Sequence, residues 1–349
     1  MRITRRGLLS LAVAPVLPLA GRDRWNPILS ENLPDLKPAT LRWLAQIGCE
    51  QVVFQGTDAV DADGKGYWSV ADVRRARQAC EAAGLKLYSM MLPNRFYEAA
   101  KLGKPGRERD IENCIRTVKA VGEAGVPMME WRFKADFLWD SRVGYSTTEG
   151  RGGVRYKTFN YDTVRGEPPI PEIGSFSEQE MRARFLYFGR PFVEAASKAG
   201  VKLSIHPNDP PVPSMRGAAR IFHHTDGFRR MIREIPDPAN GITFCQGTIT
   251  EMGVNVLDEI RYFGGQGRIH LVHFRAVRGK VPRYTEVFID EGDVDMLQAM
   301  KAFRDVGYPG PFVSDHTPRL DGDTPFGQMG RSYSHGYMRA LIHAVNSME

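Results

Sequence analysis

Eight times along this chain, a short run rich in Val, Ile, Leu and Phe is followed by a longer stretch whose apolar residues recur at a helical period. Runs of the first kind suit parallel strands buried on both faces, and stretches of the second kind suit amphipathic helices. Strands are expected near residues 27–30, 51–55, 86–91, 127–133, 202–206, 242–245, 269–274 and 311–315. Helices are expected near 38–47, 70–83, 109–124, 177–199, 225–234, 255–263, 294–306 and 334–347. Gly48, Gly84, Gly125, Gly200 and Gly307 each stand between a helix and the next strand, where a left-handed cap favours glycine. Eight strand–helix units in one chain imply an α/β fold closed into a (β/α)8 TIM barrel. An open doubly wound sheet is the alternative, but no Gly-rich phosphate-binding fingerprint follows the early strands.

A barrel of this kind needs no second domain at 349 residues, and a single catalytic domain is expected over 22–349. The first 21 residues differ. Thr4 to Ser10 reads T-R-R-G-L-L-S, with paired arginines ahead of an apolar stretch from Leu8 to Ala20. This resembles a twin-arginine export signal and implies a passing contact with that export machinery. The stretch is short for a bilayer span and contains Pro15 and Pro18, so no stable membrane anchor is expected. The expected location is periplasmic or secreted, or cytoplasmic if the signal is not used. Removing Arg2, Arg5 and Arg6 with the signal lowers the formal charge from +6 to about +3, too mild for a nucleic-acid partner. The four cysteines, at 49, 80, 114 and 245, show no CxxC pairing and read neither as a zinc-finger set nor as a disulfide framework.

One connection breaks the rhythm. Residues 135–176 form a link far longer than an ordinary strand-to-helix loop. It is expected to serve as a lid or binding loop, or as an arm in a homo-oligomer.

The chemistry concentrates at the ends of the last four strands. L-S-I-H-P ends in His206, T-F-C-Q-G in Cys245, I-H-L-V-H-F-R in His273 and F-V-S-D-H in Asp315. In a parallel barrel these ends meet at one mouth, so four metal-ligand types from distant sequence would surround a common point. His270 and His273 lie three apart and point to opposite faces. His273, nearer the strand end, is the one expected at the mouth, leaving His270 in the outer core. A thiolate with two imidazoles favours a soft divalent ion such as zinc, iron or cobalt. The carboxylate admits manganese, while magnesium and calcium suit the set poorly.

The same stretches resemble the mannonate dehydratase family. H-P-N-D-P-P-V-P (His206 to Pro213), P-A-N-G-I-T-F-C-Q-G (Pro238 to Gly247), R-I-H-L-V-H-F-R (Arg268 to Arg275), E-G-D-V-D-M (Glu291 to Met296), S-D-H (Ser314 to His316) and K-L-G-K-P-G-R (Lys101 to Arg107) carry the likeness. The resemblance implies a xylose-isomerase-like barrel that dehydrates D-mannonate, a sugar acid, to 2-keto-3-deoxy-D-gluconate. It also implies a divalent metal, commonly manganese, on His206, Cys245, His273 and Asp315. Departures include Asn208 for an aspartate, Ala276 for an asparagine, Thr317 for a glycine, and E-W-R-F (Glu130 to Phe133), which puts Arg132 where an amide is common.

For such a reaction His316, beside ligand Asp315, is the first candidate for acid–base work and Tyr333 the second. Arg275, Asp209, Arg151 and Arg155 are the candidate substrate-binding residues. An export signal on a sugar-acid dehydratase keeps a second reading in view: a metal-dependent lyase or epimerase acting on another sugar derivative, such as a keto-glycoside. A non-catalytic sugar-binding barrel is the third, and His316 beside all four ligands argues against it.

Overall fold

The computed structural model describes residues 24–348 except positions 62, 137 and 139; the expected export segment lies outside the described residues. Strand β1 (Ser30–Leu33) opens the barrel. It is followed by β2 (Gln51–Phe54), β3 (Lys86–Met91), β4 (Met128–Arg132), β5 (Tyr145–Glu149), β6 (Arg155–Asn160) and β7 (Lys202–His206). The short β8 (Ser214–Met215) and β9 (Ala218–Ala219) precede β10 (Asn240–Cys245) and β11 (Ile269–His273). The last three are β12 (Ala276–Lys280), β13 (Arg283–Val287) and β14 (Phe312–Val313).

Eight of these strands run parallel in the order β1-β2-β3-β4-β7-β10-β11-β14. Leu29 bridges Phe312, and the Ile28 carbonyl accepts the Phe312 amide at 2.9 Å. The ring therefore closes, as the alternating pattern requires, and the protein is a TIM barrel. The strand pleat sorts side chains between two environments. Val53, Met128, Leu271 and Val313 fill the barrel interior, together with buried polar groups such as Ser204 and Thr243, whose hydroxyls meet at 2.8 Å. On the outer face Trp131 of β4 packs against Phe185, Phe188 and Phe192 of the helix Glu178–Lys198. Burying each such ring stabilises the layer by about 1.5–3 kcal/mol. That helix starts at Ser177, whose hydroxyl accepts the Glu180 amide while the Glu180 carboxylate accepts the Ser177 amide, a reciprocal cap.

The expected elements need three adjustments. β1 lies downstream of 27–30: its S-E-N-L sequence does not look like a strand, because buried Glu31 and Asn32 are there for polar contacts rather than apolar packing. The last helix starts at Gln328, ahead of 334. The long connection is also more ordered than its sequence suggests. Its β5–β6 hairpin joins β12 and β13, which follow β11, in a four-stranded antiparallel sheet of order β12-β13-β6-β5. Residues 276–287 contain Gly279, Pro282 and three basic residues, so no apolar run marks β12 or β13; they form because distant strands complete their ladder. Phe159 stacks on Tyr284 with ring centres 5.0 Å apart, and Tyr145, Val212 and Met215 complete this small core. The sheet lies over the mouth as a lid. Among the described residues, no helix is long and apolar enough to cross a membrane.

Candidate metal centre and cleft

Neighbouring parallel strands bring the ligand types together. Cys245 ends β10 in register with His273 at the end of β11, and His206 ends β7. Asp315 lies just past β14 with φ 55°, a left-handed backbone that costs a non-glycine residue about 1–2 kcal/mol and turns its carboxylate inward. One ligand atom from each of His206, Cys245, His273 and Asp315 lies within 4.8 Å of the other three, and all four residues are buried. His273 Nδ1 is 3.3 Å from Asp315 Oδ2. Cys245 Sγ is 3.9 Å from the same oxygen and accepts the Thr248 hydroxyl at 3.1 Å. The Nδ1 of His206 lies 2.7 Å from the Pro207 carbonyl, so Nδ1 carries the proton and Nε2 keeps its lone pair.

This set fits a divalent cation. Both ring nitrogens of His273 are buried with no hydrogen-bond partner among the described residues, a costly state for polar atoms that a cation relieves. Burial pulls the His206 pKa well below its usual value, and Arg132 and His273 add to that pull; the neutral imidazole is the ligand form. At His273 burial also acts downward, but the Asp315 carboxylate outweighs it and holds the pKa up at about 10. A cation must displace that proton to bind.

Arg275 is not placed to receive a substrate carboxylate. It is 2% exposed. Its Nη1 reaches Glu251 at 2.9 Å and its Nη2 reaches Asp209 at 3.0 Å, while its Nε lies 3.1 Å from Asp315 Oδ2. The last contact is an ion pair rather than a directed hydrogen bond, since Nε lacks good hydrogen-bond geometry. Arg275 thus clamps Asp315, a candidate ligand of the centre. Burial raises the Glu251 pKa well above the carboxylate range, helped by Asp209. Burial also acts upward on Asp209, but Arg275 overcomes it and holds that carboxyl low. Asp209 likewise serves the protein rather than the cleft: its Oδ1 accepts the hydroxyls of Tyr145 at 2.7 Å and Tyr284 at 3.1 Å, latching the lid to the barrel.

Above the quartet opens a cleft of about 790 Å³, lined by His316, Glu286, Tyr145, Lys157, Arg155 and Arg331 among others. His316 Nδ1 lies 3.0 Å from Glu286 Oε2, and its Nε2 lies 3.9 Å from Asp315 Oδ1. Lys157 Nζ donates to the other Glu286 oxygen at 3.2 Å. Burial acts upward on Glu286, but His316 and Lys157 bring its pKa down to about 2. Asp209, Glu286 and His316 form a second group of converging ligand types. Arg275, the two tyrosines and Lys157 already occupy their atoms, so we read this group as a hydrogen-bonded network. Arg155 lines the cleft as expected of a binding residue, but Arg151 does not: it pairs with Asp290 at 2.7 Å and lies over Phe288. Tyr333 is exposed beside that pair, edge-on to Phe288, and is not a lining residue of the cleft. Lys157, Glu286 and Tyr145 carry no motif in the sequence; only the lid pairing brings them to the mouth.

The D-mannonate dehydratase (UxuA) family model matches residues 34–169 and 170–349. The chain belongs to the D-mannonate dehydratase family. It is 29% identical over 317 residues to the mannonate dehydratase of Thermotoga maritima, spanning 81% of this chain and 88% of that protein. Its structure is similar to the crystal structure of mannonate dehydratase from Streptococcus suis serotype 2, with a TM-score of 0.81 and 26% identity over 92% of this chain and 95% of that one. A xylose isomerase domain protein from Planctomyces limnophilus shares the fold at a TM-score of 0.59 and 12% identity, over 93% and 99% of the two chains. The family is a metal-dependent hydro-lyase family, and the quartet gives this mannonate dehydratase relative a candidate metal site. One departure from the family pattern is structural: Asn208 donates to the Phe133 carbonyl at 3.2 Å and accepts the Phe222 amide at 2.9 Å, and a carboxylate could not make the first bond. Arg132 is different. It stands beside His206 in register on β4 and is partly exposed at the mouth.

Proposed function

We propose that this chain dehydrates D-mannonate, or a sugar acid of the same stereochemistry, to 2-keto-3-deoxy-D-gluconate on a divalent cation held by His206, Cys245, His273 and Asp315. The convergence of those four residues beneath the cleft that holds His316 carries the reading. Bound there, a divalent cation, manganese in our reading, supplies Lewis acidity to the substrate carboxylate and C2 hydroxyl. Arg132, in register with His206 on the neighbouring strand, is our candidate for the carboxylate role that buried Arg275 cannot fill.

His316 is the general base for the C2 proton. Its Nδ1 proton is held by Glu286, which leaves Nε2 as the basic nitrogen, turned toward the Asp315 side of the cleft. The same carboxylate stabilises the imidazolium once the proton has been taken. The C3 hydroxyl leaves as water and needs a proton; the cleft-lining ammonium of Lys157 is placed to give it. The resulting C2–C3 enol takes a proton at C3 and becomes the 2-keto acid. We further propose that the N-terminal arginine pair belongs to an export signal, which cell fractionation with and without Arg5 and Arg6 tests.

The deciding experiment offers D-mannonate to the manganese-loaded chain and follows the keto acid. His316→Asn is expected to lower kcat by about 10²–10⁴-fold with metal content unchanged. A fully loaded enzyme that ignores sugar acids but converts a keto-glycoside would replace this reading.

A further inference from the structure

The two imidazoles of the quartet are held differently. His206 gives its Nδ1 proton to the Pro207 carbonyl at 2.7 Å. A ligating imidazole ordinarily has such an acceptor, which fixes its tautomer and ring orientation. His273 has no such bond, since neither of its ring nitrogens has a hydrogen-bond partner among the described residues. Its Nδ1 faces Asp315 Oδ2 at 3.3 Å. On the other side of the ring, Nε2 faces Glu130 Oε1 at 3.7 Å. That oxygen is also buried and also lacks a hydrogen-bond partner, and both side chains are 0% exposed.

Glu130 is not loosely placed. It lies within β4, and its other oxygen accepts from Gln55 Nε2 at 3.0 Å. Arg132 follows two residues on, on the same face of the strand, with Nη2 4.0 Å from the orphaned Oε1, so the carboxyl group has a cation nearby. An unmet donor and an unmet acceptor facing each other inside a protein are each costly, and closing the gap takes a movement of roughly half an ångström.

We propose that Glu130 is a positioning residue of the metal centre: its Oε1 accepts the Nε2 proton of His273, leaving Nδ1 unprotonated toward Cys245 and Asp315. The inference rests on the metal assignment proposed above. It makes Glu130 do for His273 what the Pro207 carbonyl does for His206.

Manganese affinity of the full chain, measured by competition with a chromogenic chelator, tests this in the wild type, Glu130→Gln and Glu130→Leu. The expected loss is about 10-fold for Glu130→Gln, whose amide oxygen still accepts, and up to about 100-fold for Glu130→Leu. Glu130→Leu also breaks the Gln55 hydrogen bond, so its metal-free melting temperature should fall; a merely structural role would lower that temperature alone and leave manganese affinity unchanged. Should Glu130→Leu fail to fold, Glu130→Gln decides alone. Wild-type affinity in the variants overturns the inference while leaving the metal site standing. A wild-type chain that binds no manganese, zinc, iron or cobalt overturns the metal assignment itself, and this inference with it.

Discussion

The floor of the cleft and its lid are built in different ways. The floor draws His206, Cys245, His273 and Asp315 from the ends of neighbouring parallel strands, all buried and within 4.8 Å of one another. The lid draws Tyr145, Lys157 and Glu286 from two separate excursions, 145–160 and 276–287, that meet only as an antiparallel sheet. The floor holds its geometry through the closed barrel. The lid is attached to that barrel by Asp209, through two tyrosine hydroxyls. A closed barrel beneath for charge and a separate sheet above for the substrate suit a reaction that must admit a polar sugar and then exclude water.

The largest expected effect breaks the floor alone. Cys245→Ala should empty the centre of metal and, by removing several kcal/mol of charge stabilisation, lower turnover by ~10³-fold. Metal analysis and unchanged far-UV circular dichroism check it; a variant that keeps its metal removes the cysteine from the site.

Arg275→Met acts where floor and lid meet. It leaves Asp209, Glu251 and Asp315 buried without their shared cation and is expected to cost about 3–5 kcal/mol of stability by denaturant titration. A loss under 1 kcal/mol would show that Arg275 is not the clamp described, since a surface pair is worth about that much.

His270 sharpens the contrast from within one strand. It points away from the cleft, and its Nδ1 lies 2.8 Å from the Leu203 carbonyl. Burial lowers its pKa to about 4, against about 6.5 for an unfolded histidine. Between those values the unfolded chain takes up a proton that the folded chain refuses. Stability should therefore fall as pH drops from about 6.5 to about 4, by up to ~3 kcal/mol, and then level off with respect to this group. His270→Asn should remove its share of that slope, read by urea midpoints across the range, while buried His206 keeps its own.

The smallest effect touches the lid alone. Tyr284→Phe removes one of the two hydroxyls on Asp209 and should cost about 1 kcal/mol. Amide exchange should quicken in 145–160 and 276–287 while the barrel strands are unchanged. Faster exchange in the barrel as well would mean that lid and floor open as one unit.

The same division decides what could be read in advance. Strand ends in a parallel barrel face one mouth whatever the loops do, so the four ligand types were legible from their positions, and so was the opposite orientation of His270. Arg275 and Asp209 were recognisable as charged residues near that mouth, but the sequence does not say whether a charge meets substrate or another charge. That depends on Glu251 and the two tyrosines, which come from other segments. Lys157 and Glu286 lie in strands without an apolar pattern, paired across more than a hundred residues, and no local signal announces them. β1 was misplaced for a related reason: Asn32 donates to Asp315 Oδ1 at 3.3 Å and Glu31 binds Arg331 and His335. Residues chosen for such contacts do not resemble a strand.

The order of the quartet along the polypeptide sets a timetable for synthesis. His206, Cys245 and His273 come first, and Asp315 is the last of the four donors. A nascent chain can offer three donors at most until Asp315 has emerged. In the proposed centre a cation can therefore be fully enclosed only after the last barrel strand has followed, and the ions met at that moment compete for the completed set.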